Sequence, residues 1–330
     1  MRIDSSAPTR IDLAGGTYDI WPLYLFHDRA QTLNVAISLR ARCTLTSRRD
    51  YRVSLTSTDT GEHVEAADPV DLTDDRLPLV SRLVRYFGAR GVDIHTTSES
   101  PVGAGIAGSS AMTIALIGAL AAWTGRSLTD DEALTIAMNV EAQVIKVPTG
   151  VQDYRPAFYG GASAVELGIA GVRRVALTVD LDALAERLVL AYTGASRNSG
   201  INNWDVMVRR INGDEGVATA FNLIGNAAAI MRDAMEAGDW DTVAVAMDQE
   251  WQARKRLAPG VTTSDIDNLL DAAQRAGATA GKVCGAGGGG CLVCLVNPEH
   301  RQTVAESLAA GGARVLPFSV EPRGLLVTRG

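Results

Sequence analysis

The chain has 330 residues, 46% of them hydrophobic and 21% charged, an ordinary globular composition with room for two domains or one large one. Its net charge is −7 and no Lys/Arg-rich run interrupts it, which argues against a nucleic-acid partner. No apolar run is long enough to span a bilayer, and Met1-Arg-Ile-Asp4 offers no apolar signal core, so a cytoplasmic location without a membrane partner is expected.

In chain order, Val35–Thr46 and Tyr51–Thr58 read as strands, Leu77–Ala89 as a helix and Val92–Thr97 as a strand. A loop from Pro101 to Ser109 opens into an apolar helix, Ser110–Trp123. Leu128-Thr-Asp-Asp-Glu132 is a helix start, with the helix running to about Ile145. Ala162–Leu167 and Val172–Val179 form an expected hairpin, and Leu188–Thr193 another strand. Helices then dominate, at Asn202–Arg210, Val217–Glu236, Asp239–Arg256 and Ser264–Ala276. A glycine loop at Gly281–Gly290 leads into a strand, Cys291–Val296. A helix at Glu299–Ala309 and strands at Arg314–Val320 and Gly324–Thr328 close the chain. The fold class is α+β, with two closely packed domains of mixed sheet and helices divided near residue 185: 1–185 and 186–330.

Cys43, Cys284, Cys291 and Cys294 read as reduced, buried small residues. Cys291-Leu-Val-Cys294 has the C-x-x-C form of a metal or redox pair. On a strand, however, residues three apart face opposite sides. His27, His63, His95 and His300 show no metal-ligand spacing.

The segment Ser100-Pro-Val-Gly-Ala-Gly-Ile-Ala-Gly-Ser-Ser-Ala111 carries the chemistry. Glycines let backbone amides converge, and a helix starting there adds the positive end of its dipole, making an anion site suited to a triphosphate. Gly103-x-Gly105-x-x-Gly108 has the form of a Rossmann fingerprint, but the stretch about 20 residues on is a helix cap, Thr124-Gly-Arg-Ser-Leu-Thr-Asp130, not an acid-tipped strand. Gly103-x4-Gly108 also approaches a Walker A loop, but Ser109 stands where its Lys belongs. A glycine turn feeding a core helix stays open on this segment alone.

Pro101-x-Gly-x-Gly-Ile-Ala-Gly-Ser-Ser-Ala111 resembles the central motif of the GHMP kinases, the superfamily of galactokinase, homoserine, mevalonate and phosphomevalonate kinases. Ala7-Pro-Thr-Arg-Ile-Asp-Leu-Ala-Gly-Gly-Thr-Tyr-Asp19 resembles their first motif and Gly281-Lys-Val-Cys-Gly-Ala-Gly-Gly-Gly-Gly290 their third. Gly-Ile-Ala-Gly-Ser-Ser, Gly-Gly-Thr-x-Asp and Tyr192-Thr-Gly-Ala-Ser-Arg197 are similar to the heptose 7-phosphate and fucose kinase-like branch. Tyr18 departs from it, since the heptose enzymes run Thr-Asp directly, and Ile20-Trp-Pro-Leu-Tyr24 is unusually aromatic. Both departures are expected where the family's substrate sits.

The resemblance implies a left-handed-type β-α-β ATP site, unlike the Rossmann and Walker folds, and an ATP- and Mg²⁺-dependent kinase acting on a sugar or sugar phosphate. Heptose 7-phosphate is one such acceptor, phosphorylated at the anomeric hydroxyl. The loop residues Pro101, Gly103, Ala104, Gly105, Ile106, Ala107, Gly108, Ser109, Ser110 and Ala111 would bind the phosphates. Ser110 and Glu141 would hold the metal, Asp153 would be the base, and Arg10 would pair with it and stabilise transferred charge. Gly16, Thr17, Asp19, Gly150, Asp153, Arg197, Gly287 and Gly288 would meet the substrate, Asp19 by accepting hydrogen bonds from a diol. Arg197 is a candidate for a phosphate, with Lys282 and Lys255 behind it, and the adenine side falls to Thr56–Arg76. An unphosphorylated hexose, fucose or uronic acid as acceptor, a catalytically silent ligand sensor and a dehydrogenase are the competing readings. Oligomeric state is not readable, leaving a homodimer open.

Overall fold

The computed structural model describes residues 1–73, 76–195 and 199–330, with 199–202 described by their backbone. The chain runs β1 (Arg2–Ala14), β2 (Gln31–Ser47), β3 (Val53–Ser57), β4 (His63–Ala66), α1 (Pro78–Phe87) and β5 (Val92–Ser98). Next come α2 (Gly108–Thr124), α3 (Asp130–Ile145), α4 (Tyr154–Tyr159), β6 (Ala162–Gly168), β7 (Gly171–Ala176), α5 (Leu181–Glu186) and β8 (Leu188–Tyr192). The rest is α6 (Ser199–Ile211), α7 (Glu215–Ala237), α8 (Trp240–Arg254), α9 (Ser264–Arg275), β9 (Ala278–Val283), β10 (Cys291–Val296), α10 (Arg301–Ala310), β11 (Arg314–Val315) and β12 (Leu326–Arg329). The α+β class expected from the sequence is the class observed.

Several boundaries follow from local chemistry. Thr129 caps α3 in a reciprocal capping box with Glu132, satisfying two amides that the first turn leaves free. Asp214, Asp239 and Thr263 accept first-turn amides of α7, α8 and α9. Helix α2 is apolar all round, with no polar face to expose, so it belongs inside. It lies against β1 and β2, with α1 and α3 beside it.

The first sheet has the order β12-β1-β2-β5-β3-β4, with β6 and β7 branching from β2. Long β2 makes this possible: Gln31–Val35 pairs with β6, and Ala41–Ser47 pairs with β5. The second sheet, β11-β8-β10-β9, is antiparallel throughout. In β10, Cys291, Val293 and Leu295 face one core while Leu292, Cys294 and Val296 face another, the period of a strand buried on both sides. All four cysteines are buried, and Cys291 and Cys294 point apart. One core joins Ile11, Leu33 and Val35 of the first sheet to Leu190 and Val293 of the second and to Met231 and Met247 of α7 and α8. The two sheets are thereby packed closely. Among the described residues, no helix is long and apolar enough to cross a membrane.

The structure adds elements absent from the sequence reading and shortens others. Strand β1 carries buried Thr9, Arg10 and Asp12, polar residues that mask its strand pattern. The segments α4 and α5 are six residues each, too short to show helical periodicity. Gly281 to Val283 belong to β9 rather than to the glycine loop. Of the expected strand Arg314–Val320, only Arg314 and Val315 pair regularly, with Val320 making a single bridge to Ile37. Strand β12 returns to pair with β1 of the first sheet.

Candidate active site

The first glycine loop links β5 to α2. Gly103 and Gly105 have φ of +69° and +74°, which glycine alone adopts without strain. Ala107, at φ +60°, turns the chain into the helix. The second glycine loop packs directly on the first: the N–H of Cys291 donates to Ala104 O at 2.7 Å. A Cβ at Gly290 would lie 2.7 Å from that same oxygen, so only glycine permits this contact. Arg10, on β1, joins the first loop, its backbone N–H donating to Ile106 O at 3.0 Å.

These elements wall a cleft of about 430 Å³. Pro101, Gly103, Ala104, Gly105, Gly108 and Ser109 line it. Ala107 lines it too, whereas Ile106 and Ala111 are core residues. At one end stand Ser57, Asp59, Thr60, Leu77 and Val80, partly within the stretch 56–76 expected for an adenine pocket.

Behind the loop, the hydroxyls of Ser109 and Ser110 donate to separate oxygens of Glu141, the latter at 3.0 Å. Glu141 comes from α3 and is buried. Burial pushes its pKa up, against hydrogen bonds from Ser109, Tyr154 and Ser110. Across the cleft, Arg10 Nε and Nη2 donate to Asp153 Oδ1 at 3.0 and 2.7 Å. Arg10 Nη1 donates to Gly105 O at 2.9 Å, so one guanidinium ties the carboxylate to the loop. Arg10 is 2% exposed and Asp153 28%. Burial opposes the Arg10 charge, but the carboxylates of Asp153 and Asp12 outweigh it and raise its pKa.

Asp19 also lines the cleft. It accepts the Gln152 backbone N–H on Oδ2 at 2.9 Å and Gln152 Nε2 on Oδ1 at 3.3 Å. Burial and the nearby charge of Asp153 push its pKa up to about 7, with the Gln152 amide pulling the other way. Gly150 allows this approach, since a Cβ there would meet Asp19 Oδ2 at 2.1 Å. Gly150→Ala is expected to displace the carboxylate and raise the acceptor KM about 10-fold or more, with the ATP KM unchanged in steady-state kinetics.

Thr17, Asp19, Gly150, Asp153 and Arg10 all line the cleft. Gly16 lies behind it, where a Cβ would meet Arg254 Nη2 and Asp12 Oδ2, each at 2.3 Å. Gly287 and Gly288 do not line it: Gly287 packs on Val261, and the N–H of Gly288 donates to Val261 O at 2.9 Å. The second loop meets the cleft through Gly285 and Ala286 instead. Ser110 is only 2% exposed and reaches the site through Glu141. Arg197 lies outside the described residues.

Two expectations change. Tyr18 is a core residue, its hydroxyl donating to Phe221 O at 2.8 Å and its ring edge-on to His27 and Phe221. Tyr24 is buried in the same core and Trp21 is exposed, so only Ile20 of that aromatic stretch lines the cleft. Lys282 is no phosphate ligand. It is fully buried, 2.9 Å from Glu250 Oε2 and 3.7 Å from Asp12 Oδ1. Arg254 completes this cluster, donating to Asp12 Oδ2 at 2.9 Å, Glu250 Oε1 at 3.2 Å and Thr17 Oγ1 at 3.2 Å. Arg254 also lines the cleft. Nothing in its local sequence marks it.

Comparison with known proteins gives the arrangement a context. Residues 77–161 match the model of the GHMP kinases N terminal domain, and 231–314 that of the GHMP kinases C terminal domain. The D-glycero-alpha-D-manno-heptose 7-phosphate kinase of Campylobacter jejuni is 28% identical, the alignment covering 98% of each chain. The mevalonate kinase of Thermococcus gammatolerans is also 28% identical, over 81% of this chain and 77% of its own. Among solved structures, a D-glycero-D-manno-heptose 1-phosphate kinase from Bacteroides thetaiotaomicron superposes with a TM-score of 0.79 at 24% identity, covering 99% of both chains. The matched segments carry the first glycine loop, Glu141 and Asp153 on one side and the second glycine loop on the other. With both halves matched and the three glycine-bearing segments meeting at one cleft, the chain belongs to the GHMP kinases, enzymes that transfer a phosphoryl group from ATP to an alcohol.

Proposed function

We propose that this kinase phosphorylates a hydroxyl, the anomeric one, of a sugar or sugar phosphate such as D-glycero-D-manno-heptose 7-phosphate. The observation that carries the reading is the Arg10–Asp153 pair, tied to Gly105 O of the first glycine loop and near enough to Asp19 to act on its charge. ATP would enter with its adenine toward Ser57–Thr60 and Leu77 and its phosphates on the amides of 103–109 at the α2 N-terminus. Residues 1–185 would supply the nucleotide site and catalytic residues, and 186–330 would complete the substrate side, with β12 returning to the first sheet.

The residues around Glu141 fit magnesium. They offer a carboxylate and two hydroxyls, hard oxygen donors of the kind magnesium takes, with Ser109 and Glu141 lining the cleft. Burial raises the Glu141 pKa, and a divalent cation there would keep the carboxylate ionised. Magnesium, when bound, would neutralise phosphate charge.

Thr17 and Asp19 would hold the acceptor through its hydroxyls, and Gly150 would keep Asp19 in place. Asp153 would orient the attacking hydroxyl and take its proton late in transfer, when that proton becomes acidic. Arg10 would fix Asp153 and stabilise charge on the moving phosphoryl group. The test is ADP release screened over heptose 7-phosphates, hexose phosphates, free hexoses and uronic acids. Turnover highest with a heptose 7-phosphate supports the specific reading, and a free sugar as the best acceptor moves the assignment to a 1-kinase of unphosphorylated sugars. No ADP release with any acceptor leaves the sensor reading standing.

A further inference from the structure

Gln152 precedes Asp153 in the sequence and is 4% exposed, and it lines the cleft. It holds Asp19 from two directions: its backbone N–H donates to Oδ2 at 2.9 Å, and its side-chain Nε2 to Oδ1 at 3.3 Å. The other end of the amide, Oε1, is buried and has no hydrogen-bond partner among the described residues. An unpaired buried acceptor is unfavourable. Turning the amide over would instead set that oxygen against the carboxylate of Asp19, which is worse while Asp19 is ionised. The orientation of Gln152 therefore serves Asp19 rather than itself.

We propose that Gln152 is a positioning residue that clamps Asp19 as a two-oxygen acceptor for substrate hydroxyls, and so sets acceptor affinity apart from the groups that transfer phosphate. The proposal rests on the reading of Asp19 as the hydroxyl acceptor. Among the described residues, the charges facing Asp19 come from four elements: Asp12 on β1, Asp153 in the segment before α4, Arg155 on α4 and Arg254 on α8. Burial and Asp153 already bring the Asp19 carboxyl up to about 7, and the Gln152 N–H works against them. Loss of the side-chain donor removes more support from the ionised form than from the neutral one, so the acceptor form of Asp19 fills at higher pH.

The test compares wild type with Gln152→Met and Gln152→Glu, using as probe the sugar that gives most ADP release in the screen above. In wild type, kcat/KM for the sugar is expected to fall as pH drops through about 7. In Gln152→Met the acceptor KM should rise roughly 10-fold at neutral pH and the acid limb should move upward. The deficit should shrink above the limb, and the ATP KM should hold. Gln152→Glu should move the limb further in the same direction. A loss equal at all pH values, or one confined to kcat, overturns the proposal. Carboxyl-carbon NMR of Asp19 in the free protein gives a second readout. A higher midpoint in Gln152→Met supports the clamp, and an unchanged midpoint in that folded variant overturns it, whether or not any sugar is phosphorylated. A wild-type enzyme that phosphorylates no sugar sinks the functional reading alone.

Discussion

Asp153→Asn is expected to cut kcat by about 10²- to 10⁴-fold while ATP still binds. Both contacts from Arg10 land on Oδ1 of Asp153, and an asparagine carbonyl can accept both. The substitution therefore keeps the shape of the site and removes the charge and the proton acceptor. Arg10 is 2% exposed but retains its bond to Gly105 O and the attraction of Asp12, so the fold should survive. Single-turnover ADP formation measures the chemical step, and calorimetric titration with ATP measures binding. A kcat within a few-fold of wild type would remove Asp153 from the role of base. Loss of ATP binding along with turnover would point to a structural role for the pair instead.

The second large effect is on stability. Lys282→Met should destabilise the protein by about 3–5 kcal/mol, the usual result of leaving a buried charge without its partner. Asp12, Glu250 and Lys282 are each 0% exposed and Arg254 is 2%, so two carboxylates face two cations away from water. Burial alone would raise the Asp12 pKa, but Lys282, Arg254 and Arg10 outweigh it and hold it down at about 2. An unfolded aspartate titrates near about 4. The contribution of Asp12 to stability is thus full above that pH and is lost as pH falls toward 2. In Lys282→Met the folded Asp12 pKa should rise toward the unfolded value, so this acid-sensitive contribution should shrink. Denaturant unfolding at several pH values would show both effects. Adding Glu250→Gln should recover part of the loss, because it removes one of the orphaned charges. If the single variant is as stable as wild type, the cluster is not what holds β1, α8 and β9 together.

That cluster illustrates a limit of reading residues along a chain. Asp12 and Arg254 are 242 residues apart, and neither flanking sequence announces a partner. Lys282 looked like a spare cation beside a glycine loop, whereas the fold takes it out of water and gives it to Glu250. Tyr18 follows the same rule. Its position next to Thr17 and Asp19 suggested the substrate, but Thr17 has φ +74°, and the chain turns there so that Tyr18 points into the core against Phe221. Gly287 and Gly288 looked like bare backbone for a ligand, and they serve packing against Val261. Gln152 stood beside the proposed base, yet its bonds to Asp19 arise only when the segment before α4 folds over the end of β1.

What the sequence determined by itself is whatever depends on near neighbours. The glycine pattern of 101–111, the start of α2, the Thr129 capping box and the two-sided burial of Cys291–Val296 follow from backbone freedom, amide satisfaction and side-chain period. The order of the three motifs along the chain already pointed to the family. The tertiary structure decided which charges meet. Pairing, burial and pKa depend on distances through space and on exclusion of water, and the bonds of Arg10 to Asp153 and of Gln152 to Asp19 each span more than 130 residues. The cleft exists because two glycine loops, one after β5 and one before β10, can touch backbone to backbone at Ala104 and Cys291.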